Sequence, residues 1–190
     1  MTTPDREGRP LADIAPPLAA ARGKHTFDGP RGPATEWAGE PSLPALVVVD
    51  PGGTRYDGMP AIWRSMAQRY RIAWCRARCG RRARERVEDA VQSLADEATS
   101  VDVIACGPAD EIALSVATQF RHLVRNLVLV DPAATHPTGS DDPGVHVTVL
   151  NGGPRTPRER IESPTALGDR FVMNAIADAL PDTAPETTHP

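Results

Sequence analysis

The side chains best placed to do chemistry in this sequence are a thiol, a set of carboxylates and a run of guanidinium groups. Cys106 ends the apolar stretch Val101–Cys106 and is followed by Gly107-Pro108-Ala109 and a segment with helical spacing. A thiol at such a junction would lie beside a helix N-terminus, where the thiolate is favoured and could act as a nucleophile. No histidine partner accompanies it, and a free cysteine at a strand end is more often a small buried residue. Asp50 and Asp131 end two further apolar runs, and Asp110 and Glu111 follow the Cys106 turn. Carboxylates gathered there could divide acid and base roles if burial drove their pKa values apart. The bland alternative is structural, since acids in a first helical turn simply favour the dipole.

Two other patterns carry weaker signals. Arg76, Arg78, Arg81, Arg82, Arg84 and Arg86 form a dense basic run, which could dock a phosphate, a cofactor tail or RNA. No aromatics interleave it, and the pattern suits a solvated loop entering a helix. Cys75-x3-Cys79 flanks the run without a second pair or a histidine cluster, a poor zinc signal, so no metal or cofactor is expected. Gly52-Gly53 lacks the spacing of a dinucleotide fingerprint.

The elements that must position these groups alternate between two periods. Ala45–Asp50, Tyr70–Cys75, Val101–Cys106, Asn126–Asp131 and Val145–Leu150 are short β-branched or apolar runs, as expected of strands buried on both faces. His25–Asp28 and Ala34–Trp37 flank a Gly-Pro-Arg-Gly-Pro turn and suggest an edge hairpin. Helical stripes intervene: Met59, Ile62, Trp63 and Met66; Val87, Ala90, Val91, Leu94 and Ala98; Ile112, Ala113, Val116, Ala117 and Phe120; and last Val172, Ile176, Ala179 and Leu180. Strands joined by such helices predict an α/β domain, a mostly parallel sheet with helices on both faces. Its carboxyl edge is the usual ligand crevice. Residues 1–24 read as a flexible N-terminal arm, 25–180 as the domain, and 181–190 as a disordered tail.

In order and wording these segments resemble the α/β-hydrolase superfamily over His25–Leu180. ATEWAGEPSLPALVVVDPGG is similar to that family's second strand, connecting turn and oxyanion strand. WRSMAQRYRIAWCRARCG is similar to its first helix and next strand, and VDVIACGPADEIALSVATQFRHLVRNLVLVDPA to its nucleophile strand, elbow, following helix and sixth strand. The resemblance implies a nucleophile in a G-x-S-x-G elbow. Here the turn reads Ala105-Cys106-Gly107-Pro108-Ala109, which sets Gly107 at the serine position. Where the family has an oxyanion donor after His-Gly, this chain has Asp50-Pro51-Gly52-Gly53. A carboxylate there works against a developing oxyanion, and Pro51 removes one backbone donor.

The last third is short. Val145–Leu150 supplies one strand where the family has two, and the preceding link is too short for a lid. If this strand is the family's seventh, no acid follows in Asn151-Gly152-Gly153-Pro154-Arg155. If it is the eighth, a register favoured by the IESP at 161–164, Pro154 stands where the family has its histidine. His189 lies in the tail. The expectation is therefore an α/β-hydrolase-like core lacking a lid and one late strand, with no catalytic residue of the family's triad. The expected function is a non-hydrolytic binding or accessory protein. Asp50, Gly52, Gly53, Cys106, Gly107, Pro108 and Asp131 are its ligand-binding candidates. The alternative is an esterase, thioesterase or lyase using Cys106 or Asp50 and Asp131, and a decayed chain without selected activity is a third reading.

Bulk properties narrow the setting. In 190 residues, 40% are apolar but only 4% aromatic, so one core must rest on Val, Leu, Ile and Ala. A net charge of −4 argues against a nucleic-acid or anionic-membrane partner. The N-terminus lacks the basic-then-apolar pattern of a signal peptide, and no apolar run reaches membrane length. Three cysteines cannot complete a disulfide framework. A cytoplasmic protein is expected, with an unidentified small molecule or protein as partner. Homo-oligomerisation would cover an exposed sheet edge.

Overall fold

The computed structural model describes residues 34–52, 58–77, 80–98, 100–133, 144–151 and 166–180. They form a six-stranded sheet: β1 (Thr35–Ala38), β2 (Ala45–Asp50), β3 (Arg71–Arg76), β4 (Val101–Cys106), β5 (Val124–Val130) and β6 (His146–Leu150). The spatial order is β1-β3-β2-β4-β5-β6. β1 runs antiparallel to β3, and every other pairing is parallel. Every residue of β2 and of β4 is buried. That two-sided burial explains why these strands read as continuous apolar runs rather than alternating ones.

Each face of the sheet has its own core. On one side α1 (Arg81–Ala95) and α2 (Asp110–Gln119) cover Val47, Val49, Val103, Ala105, Leu127 and Leu129. The buried stripe of α1 is Ala83, Val87, Ala90, Val91 and Leu94. Its outer surface carries Arg81–Glu85 and Arg84–Glu88 pairs one turn apart, with N···O distances of 2.9 and 2.6 Å. On the other side α3 (Arg170–Ala179) and two short helical turns cover Leu46, Val48, Ile72, Trp74, Ile104 and Val128. Asp169 caps α3, its carboxylate accepting from the amides of Phe171 at 2.7 Å and Val172 at 3.4 Å.

The segment between β2 and β3 departs from the helix that its spacing predicts. It forms two 3-10 turns, Ala61–Arg64 and Met66–Gln68. Pro60 precedes the first turn, and Tyr70, directly after the second, is already fixed in the core. A period of three residues still points Trp63 and Met66 to the same side, and both are buried. Trp63 then ties the segment down. Its indole Nε1 donates to the Leu167 carbonyl at 2.7 Å, and its ring meets Trp74 edge-on with centroids 5.1 Å apart.

The edge strand is likewise only half as expected. Residues 35–37 do lie in an edge strand, with Ala34 just before it, but β1 pairs with β3, and residues 25–28 lie outside the described residues. Other boundaries shift by one or two residues. One strand, β6, follows β5 among the described residues.

Candidate functional site

Parallel strands bring their carboxyl ends to one edge, and most of the singled-out residues stand there. Asp50 ends β2, Cys106 ends β4, and Asp131 follows β5. These three strands are adjacent. Gly52 and the Gly107-Pro108 turn complete the group, whereas Gly53, Arg78 and Cys79 lie outside the described residues.

Asp50 is 5% exposed, and its Oδ1 accepts from the Gly52 amide at 3.1 Å. Burial raises its pKa above the ordinary carboxylate value. The Gly52 hydrogen bond, the neighbouring Arg76 charge and the Trp74 indole pull the other way. Arg76, 8% exposed, is Asp50's register partner on β3. Trp74 sits two residues back on the same face, and its indole N–H is oriented toward the carboxyl. It falls outside hydrogen-bond geometry, so buried Nε1 has no partner among the described residues. Sequence reading singled out Asp50 and Arg76 separately and missed their meeting. The usable signal was a charged residue closing each of two buried strands that pair in parallel.

The remaining acids and thiols separate into structural roles. Asp110 is 1% exposed. Its Oδ1 accepts from the Glu111 amide at 2.8 Å and its Oδ2 from the Ala133 amide at 2.9 Å, fastening α2 to the chain after β5. Asp102, at the opposite end of β4, is also buried. Burial raises its pKa against the pull of Asn126, which donates at 2.6 Å, and of Arg125. Cys106 is 7% exposed and packs with Ile104 and Val130. Burial pushes the Cys75 thiol up to about 12, despite Thr35 Oγ1 at 3.9 Å and nearby Arg86, which keeps it neutral. The basic run leads into a helix as its pattern suggested: Arg81, Arg82, Arg84 and Arg86 lie in α1, while Arg76 ends β3. Arg86 donates to the Arg76 carbonyl at 2.6 Å, and Arg84 reaches Gln119 as well as Glu88.

The turn after β4 has the geometry of a nucleophile elbow. Cys106 is extended (φ −126°, ψ 135°), Gly107 turns sharply with φ 53°, and α2 begins at Asp110 after one 3-10 turn. A left-handed residue between a buried strand and a helix lifts its own side chain to the top of the sheet. Here that residue has none. A Cβ built on Gly107 would meet nothing nearer than the Asp131 carbonyl oxygen, at 3.9 Å. Asp131 is itself left-handed (φ 45°) and is held by its amide donating to the Leu150 carbonyl at 2.9 Å. With the mostly parallel sheet, the antiparallel first strand and helices on both faces, the elbow decides the architecture.

The core is a mostly parallel α/β sheet covered by helices on both faces.

Solved structures similar to this core are α/β-hydrolase-fold proteins. One is described as a novel epoxide hydrolase belonging to the α/β-hydrolases superfamily in metagenomes from hot environments. It is 18% identical, with a TM-score of 0.37, over 55% of this chain and 39% of its own. Another is an α/β-hydrolase-fold protein from Burkholderia ambifaria. It is 23% identical, with a TM-score of 0.36, over 56% of this chain and 43% of its own. The chain thus spans less than half the length of either, and the likeness concerns the fold alone. No protein-family model and no curated protein matches the sequence. Among the described residues no helix is long and apolar enough to cross a membrane.

Two predictions follow from this α/β-hydrolase-like edge. Because folding raises the Asp50 pKa, the folded chain binds this proton more tightly than the unfolded chain. Asp50 therefore costs no stability below its unfolded pKa, near 4, and an increasing amount as pH rises through the folded value. Urea denaturation of Asp50→Asn should show the stability of the variant minus that of the wild type rising between pH 4 and pH 7; a difference that falls as pH rises contradicts the assignment. Gly107→Ser has room for its side chain and faces only left-handed strain, about 1–2 kcal/mol. Thermal unfolding should find it folded and modestly less stable.

Proposed function

We propose that this protein is a non-hydrolytic member of the α/β-hydrolase-like proteins, binding a small molecule or a protein partner at the carboxyl edge of its sheet. The observation that carries this reading is Gly107, which occupies the elbow's turning position without a nucleophile. The rest of the edge supports it. Asp50 puts a carboxyl where an oxyanion hole would need donors, and Cys106 is packed against the core rather than presented above it. Asp50, Gly52, Cys106, Gly107, Pro108 and Asp131 are the proposed binding residues, with Gly53 included on sequence grounds. A reducing, cytoplasmic setting suits a chain with three cysteines, of which Cys75 and Cys106 are free thiols.

A second reading has one specific observation in its favour. The buried Asp50 carboxyl, with its raised pKa beside Arg76 and Trp74, has the environment of an acid–base group. A hydrolase built on Asp50 would need that carboxyl and not Cys106.

A panel of activated acyl esters and thioesters, incubated with wild type, Cys106→Ala and Asp50→Asn, separates the readings. The binding-protein reading predicts turnover indistinguishable from buffer for all three. Turnover that disappears in Cys106→Ala sinks it in favour of a thiol hydrolase. Turnover lost only in Asp50→Asn moves the activity to the carboxyl.

A further inference from the structure

The outward face of α3 carries charge in the reverse of the order that its own dipole favours. Arg170 opens the helix and Asp178 stands in its last turn, while the first turn holds no acid and the last turn no base. A helix is stabilised by anions near its N-terminus and cations near its C-terminus. The Asp169 cap satisfies the N-terminal amides, but α3 supplies no cation of its own at the other end. Phe171 lies on the same outer face and is 84% exposed. The other exposed large apolar side chain among the described residues, Trp37, lies under the Arg71 guanidinium at 5.2 Å.

These outer residues stand on a helix whose inner face is fixed, since Met173, Ile176 and Leu180 are buried in the core that also holds Trp63 and Trp74. Arg170, Asn174 and Asp178 recur every four residues and are all exposed, so they form one ridge. Such a ridge packs beside its own copy when two helices run antiparallel about a two-fold axis. With Asn174 at the axis, Arg170 of one copy meets Asp178 of the other, and the reciprocal pair forms at the opposite end. Phe171 then stands level with Ala177 of the second copy, a small residue that leaves the ring room. Each Arg170 comes to lie at the C-terminal end of the facing helix and each Asp178 at its N-terminal end. The second copy thus supplies the charges that the dipole of α3 lacks.

We propose that α3 is the contact of a symmetric homodimer, paired antiparallel with α3 of a second copy through Arg170, Phe171, Asn174 and Asp178. The surface is not the sheet edge that the sequence suggested, and it stands or falls without the carboxyl-edge reading. A helix of 10 residues offers a small interface, so the dimer belongs to the weak, reversible class. Its affinity rests on covering two exposed rings, and its antiparallel register on two reciprocal ion pairs.

Sedimentation velocity of the full-length protein from micromolar to millimolar concentration tests this. It should show a reversible monomer–dimer equilibrium with a Kd of about 100 μM or tighter. Phe171→Ala should weaken the dimer at least about tenfold. Arg170→Glu and Asp178→Arg should each weaken it about fivefold or more, and the double reversal should return to within about threefold of wild type, because it rebuilds both pairs. Either reversal suits the dipole of α3 within the monomer, and circular dichroism of each variant shows that a loss reflects the contact rather than a melted helix. Arg82→Glu, an exposed change on α1 across the sheet, should leave the equilibrium unaltered. A monomer at every concentration, a double reversal no tighter than the single ones, a dimer indifferent to Phe171→Ala, or an Arg82→Glu loss as large as theirs would each overturn the proposal.

Discussion

Hydrogen bonding between β2 and β4, two strands without an exposed residue, constrains where every other part of this chain can lie. Their parallel register runs from Ala45 opposite Val101 to Val49 opposite Ala105. A one-residue slip of β2 would exchange its side chains between the two cores, turning Val47 toward α3 and Leu46 toward α1 and α2 while β4 kept its faces. Fixing that register also fixes the edge. It puts Asp50 and Cys106 at neighbouring strand ends and starts the Gly107 turn at one height above the sheet. The position of the turn is thus a consequence of strand pairing.

The edge assembled in this way is polar and mostly satisfied. Asp110 accepts two amide hydrogen bonds, Asp131 is tied to Leu150, and Asp50 has Gly52, with the Arg76 charge alongside. Buried polar groups that find partners rigidify a site. The exception is Trp74 Nε1, which is buried and unpaired while its ring packs against Trp63. Leaving one buried donor unmade costs about 1–3 kcal/mol. The cost falls between Asp50 and the aromatic pair, at the part of the edge most removed from simple packing.

The sheet was legible because β-branched runs buried on both faces leave a strong sequence signal, and ALVVVD, VDVIAC and NLVLVD each became a central strand. The segment around Trp63 was legible in direction but not in type. Spacings of three suit both helix forms, and Pro60 together with the nearby anchor at Tyr70 settles the shorter one. The position of Gly107 could be read from its order between strand and helix, although its left-handed φ could not. The Asp50–Arg76 encounter was hidden because it depends on the register of two strands, Ala45 opposite Arg71 across the β2–β3 pairing, rather than on any local spacing.

The proposed non-hydrolytic reading turns on the left-handed Gly107 after β4, which has no side chain to attack with, and covalent chemistry tests it most directly. The wild-type protein and Cys106→Ala would be incubated with an activated acyl ester near neutral pH and weighed intact by mass spectrometry. The account predicts that each chain keeps its own unmodified mass, with no acyl adduct localised to the β4–α2 turn by peptide mapping. A stoichiometric adduct on Cys106, absent from the variant, would contradict it and make the thiol, displaced one residue from the turn, a working nucleophile.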